Sequence, residues 1–367
     1  MIPHSHDVLV VGGGIVGASI AYYLSRRGID VGVIERSHPG GGASGANAAI
    51  IGTSLSSPLH YARFEQRSIR LFLQLSDETG RAIRFQPCGR LSLLQDARAL
   101  KRVEGNIHRN HEAGIPVELI RPEDVGRLEP EIATTRIVGA ALCPTDGQID
   151  PFATLRILVS RTLAQGSTYY FHSPVRHIDC SGSGVRVATE GDVYHASTLV
   201  VAAGIQTPEL IAPLGWNVAV RPVRGQILVT EALPTLFRHV ISPGITQCPE
   251  GNVLLGVSTE EAGFDRRTTL PALQAIAKEA LAKAPILRSA RLLRTFAGLR
   301  PMPFDGLPIL DSLPGRENVF VAVAHNAVTS SQAIGSSMAE WIAESRRPEE
   351  LVQYRLTRPS LAERPTY

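Results

Sequence analysis

Three glycines and one acid near the start of the chain have the residue types and spacing of a nucleotide-binding turn. Gly12, Gly14 and Gly17 form the pattern G-x-G-x-x-G, and Glu35 follows roughly 20 residues later. In this pattern the first glycine allows a tight turn, the second lets a pyrophosphate approach the backbone, and the third lets a helix pack closely on a strand. A carboxylate at the position of Glu35 can accept hydrogen bonds from ribose hydroxyls.

The surrounding segments predict the strand–helix–strand unit that this chemistry requires. Val8–Val11 is a short apolar run rich in β-branched residues, which is typical of a buried strand. Apolar residues then recur at helical spacing from Ile15, Gly28 can end the helix, and a second apolar strand, Val31–Ile34, follows. The order of these elements favours a dinucleotide site over an ordinary βαβ unit with a glycine-rich turn.

The residue after the acid bears on which dinucleotide would bind. Arg36 could meet a 2′-phosphate, but it is preceded by Glu35. An acid at this position favours an unphosphorylated ribose. The pattern therefore favours FAD or NAD over NADP.

Composition excludes several classes of protein. The chain has 367 residues, 44% hydrophobic and 19% charged, which predicts a globular protein large enough for two domains. The net charge of +3 comes without a basic run, so no nucleic-acid partner is expected. No apolar run is long enough to span a membrane and no signal peptide is visible, which predicts a cytoplasmic location. The cysteines are far apart and form no C-x-x-C pair, so we expect no metal site; they are Cys88, Cys143, Cys180 and Cys248.

The rest of the chain alternates between two kinds of pattern. Sheet-and-helix patterns occur at the N-terminus, near 150–205 and at the C-terminus, and antiparallel strand patterns fill the gaps. The segment Thr198–Gly204 resembles the first strand and is predicted to join the same sheet. Predicted helices include His60–Gly80, a segment from Asp150 to about Ala164, Leu270–Ala284 and a segment from about Ser331 to Glu344. Short β-runs at 168–171, 175–178, 185–189 and 193–195 suggest a meander.

Several segments together resemble the D-amino-acid oxidase family of FAD-dependent oxidoreductases. The relevant branch includes glycine oxidase, sarcosine oxidase and the FAD subunits of opine and hydroxyproline dehydrogenases. The matching segments are DVLVVGGGIVGASIAYYLSRRGIDVGVIER, GASGANAA, TLVVAAGIQTPEL, RPVRGQ, TFAGLRPMPFDGLPIL and NVFVAVAHNAVTSS. The resemblance implies an α/β (α+β) fold, with a Rossmann-type FAD-binding domain at 1–80, 145–220 and 300–367. A discontinuous antiparallel-sheet substrate domain would occupy 81–144 and 221–299.

The resemblance also assigns roles to matching residues. The glycines and Glu35 would hold the ADP half of FAD, Val175 would hold the adenine through its backbone, and Arg300 would bind the substrate carboxylate. A helix starting in the segment 326–329 would point its N-terminus at the flavin N1–C2=O edge. The implied cofactor-contacting set is Gly12, Gly14, Ile15, Val16, Gly17, Glu35, Arg36, Ser44, Asn47, Ala48, Val175, Ala203, Gly204, Arg300, His325, Asn326, Ala327, Val328 and Thr329.

The reaction implied by the resemblance is FAD-dependent oxidation of a C–N bond beside a carboxylate. A hydride passes from the α-carbon of a small amino or imino acid to flavin N5, and the imine hydrolyses to an oxo acid. Arginine suits the carboxylate because its fork can bind both oxygens. His325 is open to a structural or a catalytic role. The cysteine that tethers flavin in sarcosine oxidase has no counterpart after Arg300, so non-covalent FAD is expected.

Three alternatives remain at this point. The chain resembles FAD subunits of heteromeric dehydrogenases, which pass electrons to a partner instead of oxygen, so a homo- or hetero-oligomer is possible. A 2-hydroxy-acid dehydrogenase would use the same fold and the same carboxylate-binding arginine. A non-enzymatic FAD-binding protein would leave that arginine without a purpose.

Overall fold

A computed structural model describes residues 4–53, 57–180, 182 and 184–362. By their contacts these residues form two compact units. Unit 1 comprises Met1–Gly45, Pro151–Val223 and Leu299–Tyr367, and unit 2 comprises Ala46–Asp150 and Arg224–Gly298, in each case within the described ranges. The segment 46–80 groups with unit 2, whereas the sequence-based division places it with the nucleotide-binding segments.

The strands and helices have the following bounds. The strands are β1 (His4–Val11), β2 (Val31–Ile34), β3 (Ile50–Ile51), β4 (Arg90–Leu94), β5 (Glu118–Ile120), β6 (Gly139–Cys143), β7 (Gly147–Gln148), β8 (Thr168–Tyr170), β9 (His177–Asp179), β10 (Val185–Ala188), β11 (Val193–Val201), β12 (Val220–Ala232), β13 (Val240–Ser242), β14 (Ile245–Gln247), β15 (Asn252–Leu255), β16 (Leu292–Pro303), β17 (Ile309–Leu313) and β18 (Arg316–Val323). The helices are α1 (Ile15–Ser25), α2 (Leu59–Glu78), α3 (Ala97–Glu112), α4 (Pro122–Leu128), α5 (Pro151–Ala164), α6 (Thr207–Ile211), α7 (Leu270–Lys283) and α8 (Ala327–Glu344).

Unit 1 is built on a largely parallel sheet. Its strands lie in the order β17-β18-β11-β1-β2-β8, and β10 and β9 extend it in antiparallel fashion from β11. The pairs β18–β11, β11–β1, β1–β2 and β2–β8 are all parallel. Near-continuous apolar runs form these strands because both faces of a parallel sheet are covered. The predicted parallel sheet containing the first strand and TLVVAAG is therefore confirmed.

Small residues let α1 lie close to its neighbours. A Cβ on Gly17 would lie 1.9 Å from the carbonyl oxygen of Gly12, and one on Gly335 of α8 would lie 2.7 Å from the backbone of Ser19. Both distances are far inside van der Waals contact. Only glycine therefore permits this approach of α1 to the turn after β1 and to α8.

The parallel strands end together at one edge of the sheet. Val11 is in register with both Val201 and Ile34, so the turn at Gly12, the segment after β11 and Glu35 lie side by side. Val201 is in register with Val321, which brings the end of β18 to the same edge. In open α/β sheets ligands bind beyond these carboxyl ends. The order of strands thus positions the candidate site.

Unit 2 contains an antiparallel-rich sheet with the order β16-β12-β15-β14-β13-β4-β6-β5. Of its described pairings only β13–β4 is parallel. The helix α7 buries Ile276 and Ala280 in a core shared with Leu91 and Ile241 of the sheet. The chain crosses between the units four times, and two of these boundaries fall within β12 and β16. The α/β (α+β) fold class predicted from the sequence is confirmed.

Three local predictions were wrong. The segment 168–170 is not part of a meander but pairs in parallel with β2. The runs at 193–195 and 198–201 form one strand, β11, because its first half pairs with β10 and its second half with β18. The helix α8 begins at Ala327 rather than Ser331, since the N–H of Ser330 already donates to the carbonyl of Asn326 at 3.1 Å.

Candidate active site

The turn after β1 forms a backbone cradle. Gly12 has φ +111°, and a Cβ there would lie 2.5 Å from the carbonyl oxygen of Ala202. Gly14 caps α1, and the hydroxyl oxygen of Ser44 accepts a hydrogen bond from the N–H of Ile15 at 2.9 Å. The start of a helix carries N–H groups without helical acceptors and a partial positive charge. This combination suits a phosphate.

Glu35 fixes the shape of this turn. Its side chain is buried, with 8% of the residue exposed. Its Oε2 accepts a hydrogen bond from the N–H of Gly13 at 2.7 Å, and its Oε1 accepts from the N–H and hydroxyl of Ser37 at 2.9 and 3.2 Å. Because an ionised carboxylate can accept about four hydrogen bonds, acceptor capacity remains on Oε2. Arg36, directly after it, is exposed.

The segment after β11 comes next to this turn. The N–H of Ala202 donates to the carbonyl of Val11 at 2.8 Å, so this segment is joined directly to the end of β1. Gly204 has φ +58°, in the left-handed region that favours glycine. Ala203 and Val175 are partly buried against the core of the same sheet. Val175 lies in an irregular segment before β9, not in a strand.

The segments of Arg300 and His325 reach the same edge of the sheet, because a Cβ on Gly204 would lie 3.9 Å from the Cγ of Pro301 and β18 ends beside β11. Arg300 is a half-buried residue of β16, and His325 follows β18 by two positions. Burial lowers the pKa of His325 to about 4, and the positive charge of Arg300 contributes to the shift. The His325 imidazole is therefore uncharged at neutral pH. Its Nδ1 is buried and has no hydrogen-bond partner among the described residues.

The first turn of α8 follows directly. Asn326 is its N-cap residue, and its backbone carbonyl accepts from the N–H and the hydroxyl of Ser330 at 3.1 and 3.0 Å. Ala327 and Val328 are partly exposed, whereas Thr329 is buried. A helix of 18 residues that starts at the carboxyl edge of the sheet directs its positive dipole end toward that edge.

These features fit a dinucleotide cofactor with an adjoining ligand. One edge of the sheet carries three such features: a turn that only glycine can form, a buried carboxylate with remaining acceptor capacity, and two helix N-termini. The buried Nδ1 of His325 is a polar atom that a ligand can satisfy. Sequence comparison agrees, because a family model described as "FAD dependent oxidoreductase" (DAO) matches residues 7–341.

The chain belongs to the DAO family of FAD-dependent oxidoreductases. It is 29% identical over 371 residues to glycine oxidase of Geobacillus kaustophilus (strain HTA426), covering 97% of each chain. It is 29% identical over 366 residues to one of the subunits of opine oxidase from Agrobacterium tumefaciens (strain Ach5), covering 94% of this chain and 95% of that one. The family, the enzyme class and the dependence on FAD predicted from the sequence are thereby confirmed.

Two solved structures share the whole fold. The crystal structure of the Geobacillus kaustophilus glycine oxidase matches with a TM-score of 0.90 at 27% identity, covering 97% of this chain and 99% of that one. L-proline dehydrogenase from P. horikoshii matches with a TM-score of 0.92 at 24% identity, covering 99% and 100%. At 24% identity, the match to L-proline dehydrogenase is evidence for the fold alone.

The predicted flavin-loop residues fall in different units. Ser44 belongs to unit 1 at the phosphate turn, whereas Asn47 and Ala48 belong to unit 2. In unit 2 the Oδ1 of Asn47 accepts from the N–H of Ala49 at 2.6 Å, and Ala49 has φ +58°. A joint role for these three residues stays a prediction.

A C-terminal clamp on the turn that follows the strand of Arg300 was missed from the sequence. Arg358 donates from Nε and Nη2 to the two carboxylate oxygens of Asp305 at 2.6 and 2.8 Å, and Ser360 donates to the same carboxylate at 2.6 Å. Burial alone would raise the pKa of Asp305, but the hydrogen bonds from Arg358 and Ser360 outweigh it and lower the pKa. Asp305 follows the end of β16 by two positions, so the clamp holds the turn after the strand that carries Arg300. No local pattern pairs positions so far apart in the chain.

Within the described ranges, no group of His, Cys, Asp and Glu side chains has the arrangement of a metal site. None of the described helices combines the length and apolar character needed to cross a membrane.

Proposed function

We propose that this DAO-family protein binds FAD without a covalent bond and oxidises the C–N bond of a small amino or imino acid. The observation that carries the proposal is that the segments of Arg300 and of the uncharged His325 both reach the carboxyl edge that also holds the nucleotide turn: a Cβ on Gly204 would lie 3.9 Å from Pro301, and β18 ends beside β11. The similarity to glycine oxidase over nearly the whole chain supports the substrate class.

Arg300 would bind the substrate carboxylate. Its guanidinium is always charged and presents a planar fork that matches two carboxylate oxygens. Because the residue is half-buried, the ion pair would be screened less than one in open water. Arg300 would thereby fix the α-carbon of the substrate relative to the sheet edge.

Three other features of the site would hold the cofactor in place. Glu35 would accept hydrogen bonds from ribose, the turn at Gly12 to Gly17 would take the pyrophosphate, and the N-terminus of α8 would stabilise negative charge at the flavin edge. Bound FAD supplies the oxidising chemistry by taking the hydride that leaves the α-carbon. The nitrogen would lose a proton to solvent as the C=N bond forms, and water would then hydrolyse the imine to an oxo acid and ammonia or an amine.

Non-covalent binding is supported by the state of the cysteines. All four are free thiols, and burial raises the pKa of Cys143 and of Cys248 to about 11. Protonated thiols are poor nucleophiles toward a flavin. Free thiols also suit a reducing compartment such as the cytoplasm. Denaturing the protein in acid should release all flavin into the supernatant, and flavin left on the precipitated chain would contradict this part of the proposal.

The test of the reaction is an anaerobic screen with the FAD-loaded protein. Glycine, sarcosine, alanine, proline and the matching 2-hydroxy acids are mixed with it, and bleaching of the flavin absorbance is recorded. The proposal predicts bleaching by at least one amino or imino acid. Bleaching by 2-hydroxy acids alone would replace it with hydroxy-acid oxidation, and no bleaching by any of them would contradict it.

The electron acceptor is either oxygen or a partner protein. The similarity to a protein named as a subunit of opine oxidase favours testing a heteromeric arrangement. An oxidase would produce one hydrogen peroxide per substrate in air. A dehydrogenase subunit would turn over slowly in air and rapidly with an artificial acceptor such as dichlorophenolindophenol.

A further inference from the structure

We propose that His325 binds the substrate nitrogen while Arg300 binds the carboxylate. The inference rests on the proposed oxidation of an amino or imino acid. It adds the residue that distinguishes a nitrogen-bearing substrate from a plain carboxylic acid.

The position of His325 places it among the ligand-binding segments. It follows the end of β18, which is parallel and adjacent to β11, and β11 is adjacent to β1. The segments after these three strands contain His325, Gly204 and Gly12. His325 therefore stands at the edge where ligands of α/β sheets bind.

Its ring has an unused polar atom. Nδ1 of His325 is buried and has no partner among the described residues, although the residue as a whole is partly exposed. Burying such an atom without a hydrogen bond costs free energy, so these atoms are rare in folded proteins. A bound ligand that presents a hydrogen-bonding group removes this cost.

The charge state of the ring selects the kind of group. Burial and the neighbouring Arg300 keep the imidazole uncharged, and an uncharged imidazole offers one nitrogen lone pair as an acceptor. A positive charge such as that of Arg300 disfavours an N–H dipole pointed at it and favours a lone pair, so a nearby cation supports the acceptor form of a ring nitrogen. A substrate N–H can donate to it.

The geometry of an amino acid completes the match. Its nitrogen and its carboxylate are bonded to the same carbon, so a carboxylate on Arg300 brings the nitrogen close to any group beside Arg300. His325 lies at the same sheet edge as the Arg300 segment, and the Arg300 charge acts on its ring. Two contacts on neighbouring atoms would orient the α-carbon, which is the condition for efficient transfer.

The experiment uses the FAD-loaded full chain and the variants His325→Leu and His325→Asn. His195→Leu, at an exposed position of β11, is the matched control. The first measurement is the anaerobic flavin reduction rate at limiting concentration of whichever of glycine, sarcosine, alanine or proline reduces the wild type fastest. The second is the Kd of the acid without the nitrogen, read from the flavin absorbance change. That acid is acetate for glycine and sarcosine, propionate for alanine, and cyclopentanecarboxylate for proline.

The proposal predicts that the variants lose flavin reduction rate but keep their affinity for the plain acid. His325→Leu should lower the reduction rate at least ~10-fold, the size of one lost hydrogen bond, and change the Kd of the plain acid less than about two-fold. His325→Asn should recover part of the rate because its amide can still accept. The control should match the wild type in both.

Three results would overturn the inference. The first is an unchanged reduction rate in His325→Leu, and the second is an equal loss in the reduction rate and in the affinity for the plain acid. The third is a changed flavin spectrum or FAD content in a variant whose reduction rate and plain-acid Kd change together, which would assign the ring to the cofactor. Failure of the proposed function is distinguished by the wild type, whose flavin would then be reduced by no amino or imino acid. That result would also contradict the inference about His325.

Discussion

The Oε2 of Glu35 accepts a hydrogen bond of 2.7 Å from the backbone N–H of Gly13. The acid at the end of the second strand thus holds the glycine turn at the end of the first. A hydrogen bond to a charged group contributes about 1.5–3 kcal/mol. Glu35 is therefore expected to act both on the turn and on the cofactor.

Replacing Glu35 by alanine should weaken FAD binding. Loss of the ribose contact alone predicts about a ten-fold or larger rise in the Kd of FAD, since 1.5 kcal/mol corresponds to roughly that factor. The measurement is titration of the apoprotein with FAD by flavin fluorescence. Glu317→Ala, at an exposed position of β18, is the control and should bind as the wild type does. Equal affinity of the Glu35 variant would remove this residue from the cofactor site.

Replacing Gly17 by alanine should destabilise unit 1. The new Cβ would lie 1.9 Å from the carbonyl oxygen of Gly12, so α1 must move away from the turn. Overpacking of this kind costs about 1–3 kcal/mol. Urea unfolding measures it, with Gly191→Ala as the control because a Cβ there meets nothing within 4 Å. A variant as stable as the wild type would show that the helix does not pack as described.

The clamp between Arg358 and Asp305 predicts a dependence of stability on acid pH. The pKa of Asp305 is lowered in the folded protein, so its contribution is present above the unfolded pKa of about 3.9 and is lost as the pH falls through the folded value. Asp305→Asn should therefore flatten the loss of stability below about pH 4. Arg358→Gln should destabilise at pH 7 more than Arg176→Gln, whose ion pair with Glu190 is exposed. Melting temperatures across pH test both expectations.

The lowered pKa of His325 predicts that folding stability also depends on pH in a second, higher pH range. Its pKa is lowered to about 4 by burial and by Arg300, whereas an unfolded histidine has a pKa of about 6.5. Between these values the unfolded chain binds more protons than the folded one, so stability should fall as the pH drops from about 6.5 toward 4. His325→Asn should reduce that slope and His195→Asn should not. An identical slope in all three proteins would contradict the buried, uncharged state.

The sequence predicted the parts of the site that local patterns encode. The strand, the glycines, α1 and Glu35 lie within 36 residues, and their spacing alone reflects the geometry of the turn. The strand TLVVAAG was predicted to join the same sheet because its apolar run ends in small residues like the first. The resemblance to a family supplied Arg300 and His325, which no local pattern marks.

Other features depend on long-range contacts and could not be predicted. The burial of His325 Nδ1 depends on the neighbouring ends of β11 and β18, which are far apart in the sequence. The pairing of Arg358 with Asp305 joins positions with no periodic relation. The strand β8 looked like part of a meander because its short apolar run carries no sign of its parallel partner, β2.

The most direct test of the proposed function is flavin reduction in Arg300 variants. Anaerobic stopped-flow measurements compare the wild type, Arg300→Leu, Arg300→Lys and the control Arg186→Leu at an exposed position of β10, after FAD content has been equalised. Loss of a charge-assisted ion pair of about 2 kcal/mol or more predicts that Arg300→Leu reduces its flavin at least ~30-fold more slowly at limiting amino acid. Arg300→Lys should recover only part of the rate, because lysine keeps the charge but loses the fork. Wild-type reduction kinetics in Arg300→Leu would contradict the account of a carboxylate bound at this edge of the sheet.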